Sequence, residues 1–345
     1  MDKLVIASSR RSAGKTSVVV GLGSALGKKF GYLKPLGDRL IYREKHTWDY
    51  DAALVSGLFN LPENPEELTI GFQHSKLKYM YDEIGTGEKV KQMVEAAGKG
   101  RELVIIECGR DFSYGASVHL DALSLVKYVD GKLILVISGA EDSIVDDIYF
   151  YKKHIAAKET SFGGVIINKV HDLDDFKNSY LGSLQEMGVN VLGILPFAQE
   201  LTHYTVQYLA DSLVAKVIAG EKGLNKMVKN VFVGAMSADD AIRSASFKRE
   251  DKVVITAGDR SDMVLAALET GSAAVVLTNN IYPPSNITSI AANKQIPLLL
   301  VNADAYQVAA RVDGLEPLTT GDDKQKISLL ETMVKEHVKL PGITS

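Results

Sequence analysis

Residues 9–16 read Ser-Arg-Arg-Ser-Ala-Gly-Lys-Thr, between an apolar run (Leu4, Val5, Ile6, Ala7) and a helix-like run from Ser17 to Lys28. A strand, a tight loop and Gly-Lys-Thr opening a helix is the arrangement a phosphate-cradling loop needs. Backbone amides of Ser12, Ala13, Gly14, Lys15, Thr16 and Ser17 would face an anion at the helix start, where the helix dipole favours negative charge. Lys15 would reach β- and γ-phosphates, and Thr16 would hold Mg²⁺. The usual pattern has glycine where this chain has Ser9. The competing reading is a helix that merely begins with Gly-Lys-Thr; placement at the first βα turn favours nucleotide binding.

Other candidates follow from position. In open α/β sheets, ligands sit beyond the carboxyl ends of the strands. Lys34 follows a short strand, Asp49 and Asp51 come next, Glu107 ends the run Leu103–Glu107, and Asn168-Lys169 end another. A carboxylate at the edge of a buried sheet is costly without a cation or donors, so Glu107 is a candidate Mg²⁺ ligand, with Asp51 or Asp49 as a second. The two aspartates could instead cap the helix Ala52–Leu58. Lys34 could neutralise charge on a transferred phosphoryl group, or be a solvated surface lysine. Asn168 offers the donor and acceptor that suit the edge of adenine, or is an ordinary turn residue. Arg10 and Arg11 flank the loop, facing phosphate or solvent. Cys108 and His119 have no identifiable partner and read as structural.

Two α/β alternations must position these residues. The first has strands at 4–7, 32–33, 103–107, 132–138, 164–168 and 190–192, with helices at 17–28, 87–97, 143–156 and 174–187. That alternation predicts a parallel sheet with helices on both faces. The polar span from Phe59 to Asp82 reads as an excursion over the sheet edge. A polar, glycine-bearing stretch at 219–225 predicts a boundary, giving domains at 1–218 and 226–345. The second has strands at 231–233, 253–256, 274–277 and 298–301, helices at 238–246, 262–269, 287–293 and 306–312, and a final helix at 324–338.

The chain has 345 residues, a net charge of −4 and a single cysteine. A net negative charge argues against a general nucleic-acid binder. One cysteine excludes an intramolecular disulfide and a cysteine-rich metal site. No apolar run approaches the length of a membrane span, and the start shows no secretory signal, so the expected location is cytoplasmic.

Ser-Ala-Gly-Lys-Thr, Lys34-Pro35, Asp49/Asp51, Glu107-Cys108-Gly109 and Asn168-Lys169 together resemble the dethiobiotin synthetase family of P-loop proteins. The resemblance implies that Lys34 lies near a carboxylated substrate amine and phosphate, that Glu107 and Asp51 (or Asp49) hold Mg²⁺ with Thr16, and that Asn168 meets adenine. After Glu107 this chain has Cys108-Gly109-Arg110-Asp111-Phe112 in place of that family's Gly-Ala-Gly-Gly. Farther on, Gly258-Asp259-Arg260-Ser261-Asp262 and Leu277-Thr278-Asn279-Asn280 resemble the DRTGG domain. The two-domain order is similar to the N-terminal part of long bacterial phosphotransacetylases, without the acetyl-transferring domain.

Three readings compete. The first is a regulatory or sensor protein binding ATP and Mg²⁺, with a second ligand read at Asp259, Arg260 and Thr278. The second is an ATP-dependent ligase or kinase that forms an acyl phosphate through Lys15 and Lys34. The third is a regulatory subunit acting in trans on an acyltransferase. Family analogy implies a homodimer in each case, and the choice of ATP over GTP rests on Asn168-Lys169.

Overall fold

The computed structural model describes residues 1–43, 46–156, 161–321 and 323–343. Of the expected domain spans, residues 44, 45, 157–160, 322, 344 and 345 lie outside it. The chain divides into two compact units: Met1–Ala198 joined by the segment from Thr319 onward, and Gln199–Leu318.

In chain order the first unit comprises β1 (Asp2–Ser8), α1 (Lys15–Ala25), β2 (Phe30–Leu33), β3 (Leu40–Arg43), β4 (His46–Asp49), α2 (Tyr50–Leu58), α3 (His74–Met80) and α4 (Glu83–Ala97). It continues with β5 (Leu103–Glu107), α5 (Ala122–Val129), β6 (Lys132–Ile137), α6 (Glu141–Ala156), β7 (Phe162–Val170), α7 (Leu173–Phe176), α8 (Gly182–Glu186) and β8 (Val191–Pro196). Six strands form one parallel sheet in the order β2-β5-β1-β6-β7-β8. They are near-continuous apolar runs because both faces of a parallel sheet are covered; β5, Leu-Val-Ile-Ile-Glu, is buried throughout. The chain leaves β1 toward β2 and β5 on one side, then returns to β6, β7 and β8 on the other. Right-handed crossovers in opposite directions put helices on opposite faces. The reversal falls at β1, where such sheets bind ligands.

Two differences from expectation are local. The stretch before α2 forms an antiparallel hairpin, β3 with β4, whose polar residues hid its pairing. The expected helix at 174–187 is divided into α7 and α8 by a π-helical turn, Lys177–Leu181.

The second unit contains β9 (Tyr204–Thr205), α9 (Val206–Leu213), β10 (Lys216–Ala219), β11 (Met227–Val228), β12 (Asn230–Val233), α10 (Ala238–Arg243), β13 (Lys252–Ala257) and α11 (Ser261–Glu269). β14 (Ser272–Thr278), α12 (Ser285–Lys294), β15 (Leu298–Leu300) and α13 (Ala305–Asp313) complete it. Its sheet runs β10-β15-β14-β13-β12, parallel from β12 to β15 with β10 antiparallel at the edge. Residues of α10, α11 and α12 bury one face, while α9 and α13 bury the other. The polar stretch at 219–225 is a turn within this unit, because α9 and β10 already pack on its sheet.

The last helix, α14 (Lys324–His337), lies in the first unit rather than the second. It packs on α1 and β8, and Lys339 donates its amide to the Leu192 carbonyl at 2.8 Å. Its amphipathic pattern predicts a helix but carries no information about which sheet it covers. No helix among the described residues is long and apolar enough to cross a membrane.

Candidate functional site: a phosphate loop with a locked lysine

β1 delivers the loop at residues 9–14 to the point where the sheet order reverses, and α1 starts at Lys15. Gly14 has φ 97°, a left-handed conformation that glycine adopts without strain. A Cβ there would also collide with the Asn168 side-chain amide. Asn168 Nδ2 donates to the Ala13 carbonyl at 2.9 Å, and Lys169 Nζ donates to the Ser12 carbonyl at 2.8 Å. The end of β7 thus clamps one half of the loop. α6 holds the other half: the Tyr151 hydroxyl donates to the Ser9 carbonyl at 3.0 Å, and Arg10 pairs with Asp147.

Lys15 is buried, and its ammonium donates to Ser8 Oγ at 3.0 Å and to the Arg110 carbonyl at 2.9 Å. Burial lowers its pKa, with Glu107 opposing the shift. Thr16 Oγ1 donates to Glu107 Oε1 at 2.7 Å, and the Tyr32 hydroxyl donates to Glu107 Oε2 at 2.8 Å. Burial pushes the Glu107 carboxyl up to about 7; Asp51 adds to the rise, while Lys34, Lys15 and the Thr16 hydrogen bond oppose it. Ser17 follows in the first turn of α1, half-buried.

Lys34 is not a surface lysine. It is 1% exposed, and its ammonium meets Asp38 at 2.6 Å, Asp49 at 3.4 Å and Asp51. Burial alone would lower its pKa, but Asp51, Glu107, Asp49 and Asp38 together raise it well above the ordinary value. Oxygens of Asp38, Asp49 and Asp51 converge within 4.8 Å of one another, and the Lys34 ammonium is bonded among them. The two aspartates flagged together in the sequence do different work. Asp49 caps α2, accepting from the amides of Asp51 and Ala52 at 2.9 and 3.2 Å, and also from those of Asp38 and Arg39 at 3.0 and 3.1 Å. Asp51 pairs with Lys34 and Arg39, which outweigh burial and keep its pKa low.

Beside this cluster, space is filled by aromatic rings. The backbone at Gly37 lies against Phe72, and that at Gly109 against Tyr114, each too close for a Cβ. Tyr114 also meets His74 edge-on at 5.0 Å between ring centroids, and the Arg110 guanidinium lies over the Tyr114 ring, 5.2 Å from its centre. Cys108 is fully buried, and burial raises its thiol pKa. At the ends of β7 and β8, His171 and Phe197 stack at 4.4 Å, held together by the Phe197 amide donating to the Val170 carbonyl at 2.7 Å.

In the second unit, Asp259, Arg260 and Thr278 all follow or end parallel strands β13 and β14. Arg260 donates to the carbonyls of Gly234 and Met236 at 3.2 and 2.8 Å and pairs with Asp262 at 3.6 Å. It therefore fixes the turn after β12, with Asp262 rather than Asp259 as its ionic partner. Asp259 is exposed, and Thr278 is buried. Asn279 and Asn280 both take left-handed conformations, φ 58° and 54°, which asparagine tolerates.

Sequence reasoning did not find Tyr32, Asp38, Tyr151, Arg110 or the His171–Phe197 pair. One signal was available: side chains two apart on an extended segment share a face, so Tyr32 and Lys34 belong to the same environment.

A parallel sheet with a phosphate loop at its reversal and a Thr–Glu pair beside the lysine defines a P-loop nucleotide-binding fold. Comparison with known families agrees. A family profile described as an AAA domain matches residues 2–205, and one described as a DRTGG domain matches residues 208–315. The chain belongs to this AAA-domain family of P-loop proteins, dethiobiotin-synthetase-like in its motifs, and carries a DRTGG domain after it. It is similar to the phosphate acetyltransferases of Nitrosomonas europaea, 23% identical over 98% of this chain and 51% of that protein, and of Pseudomonas putida, 25% identical over the same shares. The chain thus spans about half the length of these relatives. Among solved structures, it is similar to the MinD cell division protein of Aquifex aeolicus, with a TM-score of 0.37 and 16% identity over 58% of this chain and 84% of that one. It is also similar to the CBS and DRTGG domains of a Clostridium perfringens pyrophosphatase regulatory region, with a TM-score of 0.29 and 18% identity over 55% and 82%.

Proposed function

We propose that the chain is a regulatory protein that binds Mg²⁺ and a nucleoside triphosphate, ATP by preference, related to the N-terminal part of phosphate acetyltransferases. The observation that carries this reading is a contrast within one site. Lys15 bonds to the Arg110 carbonyl and Thr16 to Glu107, partners that a phosphate and a hard cation could replace, whereas Lys34 is sealed among three carboxylates. A lysine so placed meets a second substrate only by breaking those pairs.

Thr16 and Glu107 fit Mg²⁺, since both offer oxygen and Mg²⁺ takes one or two protein oxygens with waters and phosphate. Asp51 is the third expected ligand and joins only on parting from Lys34 or through water. When bound, the cation would neutralise charge on the β- and γ-phosphates. Asn168 and Lys169 hold the loop; after its two bonds, the Asn168 amide retains one donor and one acceptor for a base. The exposed His171–Phe197 pair offers that base a stacking face.

The DRTGG domain is then the readout, with the exposed Asp259 open to a second ligand and Arg260 shaping its rim, while Thr278, buried at the end of β14, is reached only if that strand end opens. A homodimer, a cytoplasmic location and action in trans on an acyltransferase extend this reading. A second reading, an ATP-dependent ligase or kinase, is favoured by one observation: Lys34 directly follows β2 and Lys15 lies in the loop–helix turn after β1, both at the carboxyl edge of the same parallel sheet. Loss of an ATP-dependent turnover in Lys34→Ala would support that alternative.

Calorimetric titration of Mg²⁺-ATP into wild type and Lys15→Ala tests the main reading. Micromolar binding in wild type, lost in the variant, is expected. Absence of binding in wild type would remove the phosphate loop from the function.

A further inference from the structure

Arg110 stands where the sequence departs from the dethiobiotin synthetase pattern, directly after Glu107-Cys108-Gly109. Its backbone carbonyl accepts from Lys15 Nζ at 2.9 Å. Lys15 is the group that a P-loop directs at the β- and γ-phosphates. The Arg110 backbone therefore borders the terminal phosphate position, in van der Waals reach of the lysine that marks it.

The other cations around the loop are engaged. Arg10 pairs with Asp147, Lys34 with three aspartates, and Lys169 with the Ser12 carbonyl. Arg110 is exposed, and among the described residues its guanidinium has no carboxylate partner. It rests over the half-buried ring of Tyr114, 5.2 Å from the ring centre. A cation over an aromatic face at an exposed site is weakly held, whereas guanidinium binds phosphate bidentately and strongly. Exchange of the ring for a phosphate is downhill once a phosphate is present.

We propose that Arg110 is the residue that distinguishes nucleoside triphosphate from diphosphate at this site, leaving the Tyr114 ring to bind the terminal phosphate. The proposal rests on the nucleotide-binding reading above and adds a specificity-determining residue to it. Tyr114 packs against Gly109 and His74, so departure of the guanidinium reports the terminal phosphate to the segment after β5. The recognised chemistry is a terminal phosphoryl group with its Mg²⁺, whichever base the nucleotide carries.

The test titrates wild type, Arg110→Ala and Arg110→Lys with the β,γ-imido analogues of ATP and GTP and with ADP and GDP, all with Mg²⁺. The expected result is a loss of about tenfold or more in triphosphate affinity in Arg110→Ala, the effect of removing one charge-assisted phosphate contact. Diphosphate affinity stays at the wild-type value and confirms that the variant is folded. Arg110→Lys restores only part of the loss, because a point charge replaces a fork. Equal losses for both nucleotide classes, or no loss for either, overturn the assignment and leave the phosphate-loop reading standing. If wild type binds none of the four, that reading falls and the assignment falls with it.

Discussion

Thr16 Oγ1 donates to Glu107 Oε1 at 2.7 Å, joining the first turn of α1 to the carboxyl end of β5 across 91 residues of sequence. The two oxygens a P-loop site would turn toward Mg²⁺ are bonded to each other, and the Tyr32 hydroxyl donates to the second Glu107 oxygen. Even so, two donors do not offset the full burial of Glu107, whose carboxyl is pushed up to about 7.

A pH dependence follows for the protein in chelator, free of nucleotide. The folded pKa of Glu107 lies above its ordinary value of 4.5. The folded state therefore binds more proton between pH 4.5 and 7, so the contribution is fully present below 4.5 and is lost as pH rises toward 7. The loss runs at roughly 1.4 kcal/mol per pH unit for one fully linked group. Urea unfolding between pH 5 and 7.5 should show this fall in wild type and not in Glu107→Gln. A parallel fall in the variant would assign the dependence to another group.

The Lys34 cluster yields a second prediction. Removing one partner of a buried ionic network leaves uncompensated charge and typically costs ~3–5 kcal/mol. Lys34→Met should therefore destabilise the first unit by about that amount, because Asp38, Asp49 and Asp51 lose their shared cation. Lys34→Met with Asp51→Asn should recover part of the loss, since one fewer carboxylate repels the others. Guanidinium unfolding of the single and double variants measures both. A double variant less stable than the single would refute mutual repulsion as the cause.

These two cases mark where the sequence was legible. Lys15, Thr16, Glu107 and Asn168 were readable because their positions follow from strand ends, and apolar runs locate strand ends well. The burial of Lys34 was not readable, since lysine is among the residues most rarely buried and its partner Asp38 carries no motif. The separate duties of Asp49 and Asp51 depend on the hairpin of β3 and β4, which brings the amides of Asp38 and Arg39 onto Asp49. That hairpin leaves no clear apolar alternation. Arg260 was legible as a strand-end residue, but its use in holding the Gly234 and Met236 carbonyls was not, because those acceptors are backbone atoms that any sequence would supply.

The placement of α14 leads to the last prediction. The chain passes through the whole second unit before this helix returns to the first. Leu330, Met333 and Val334 are buried, and Leu330 and Val334 meet α1, where a Cβ on Gly21 would lie 2.5 Å from Val334 Cγ2 and 2.8 Å from the Leu330 carbonyl oxygen. Each such apolar side chain contributes roughly 1.5–3 kcal/mol on burial, so the helix supports the very element that begins with Lys15 and Thr16. A chain shortened to end at Leu318 should lose much of the stability of the phosphate-loop unit while the second unit keeps its fold. Gly21→Val, in the full chain, should reproduce the effect by forcing α1 and α14 apart. Hydrogen exchange reads both: amides of β1, β5 and α1 lose protection, and those of β13 and β14 keep it. Protection lost first in β13 and β14 would mean that α14 supports the second unit instead.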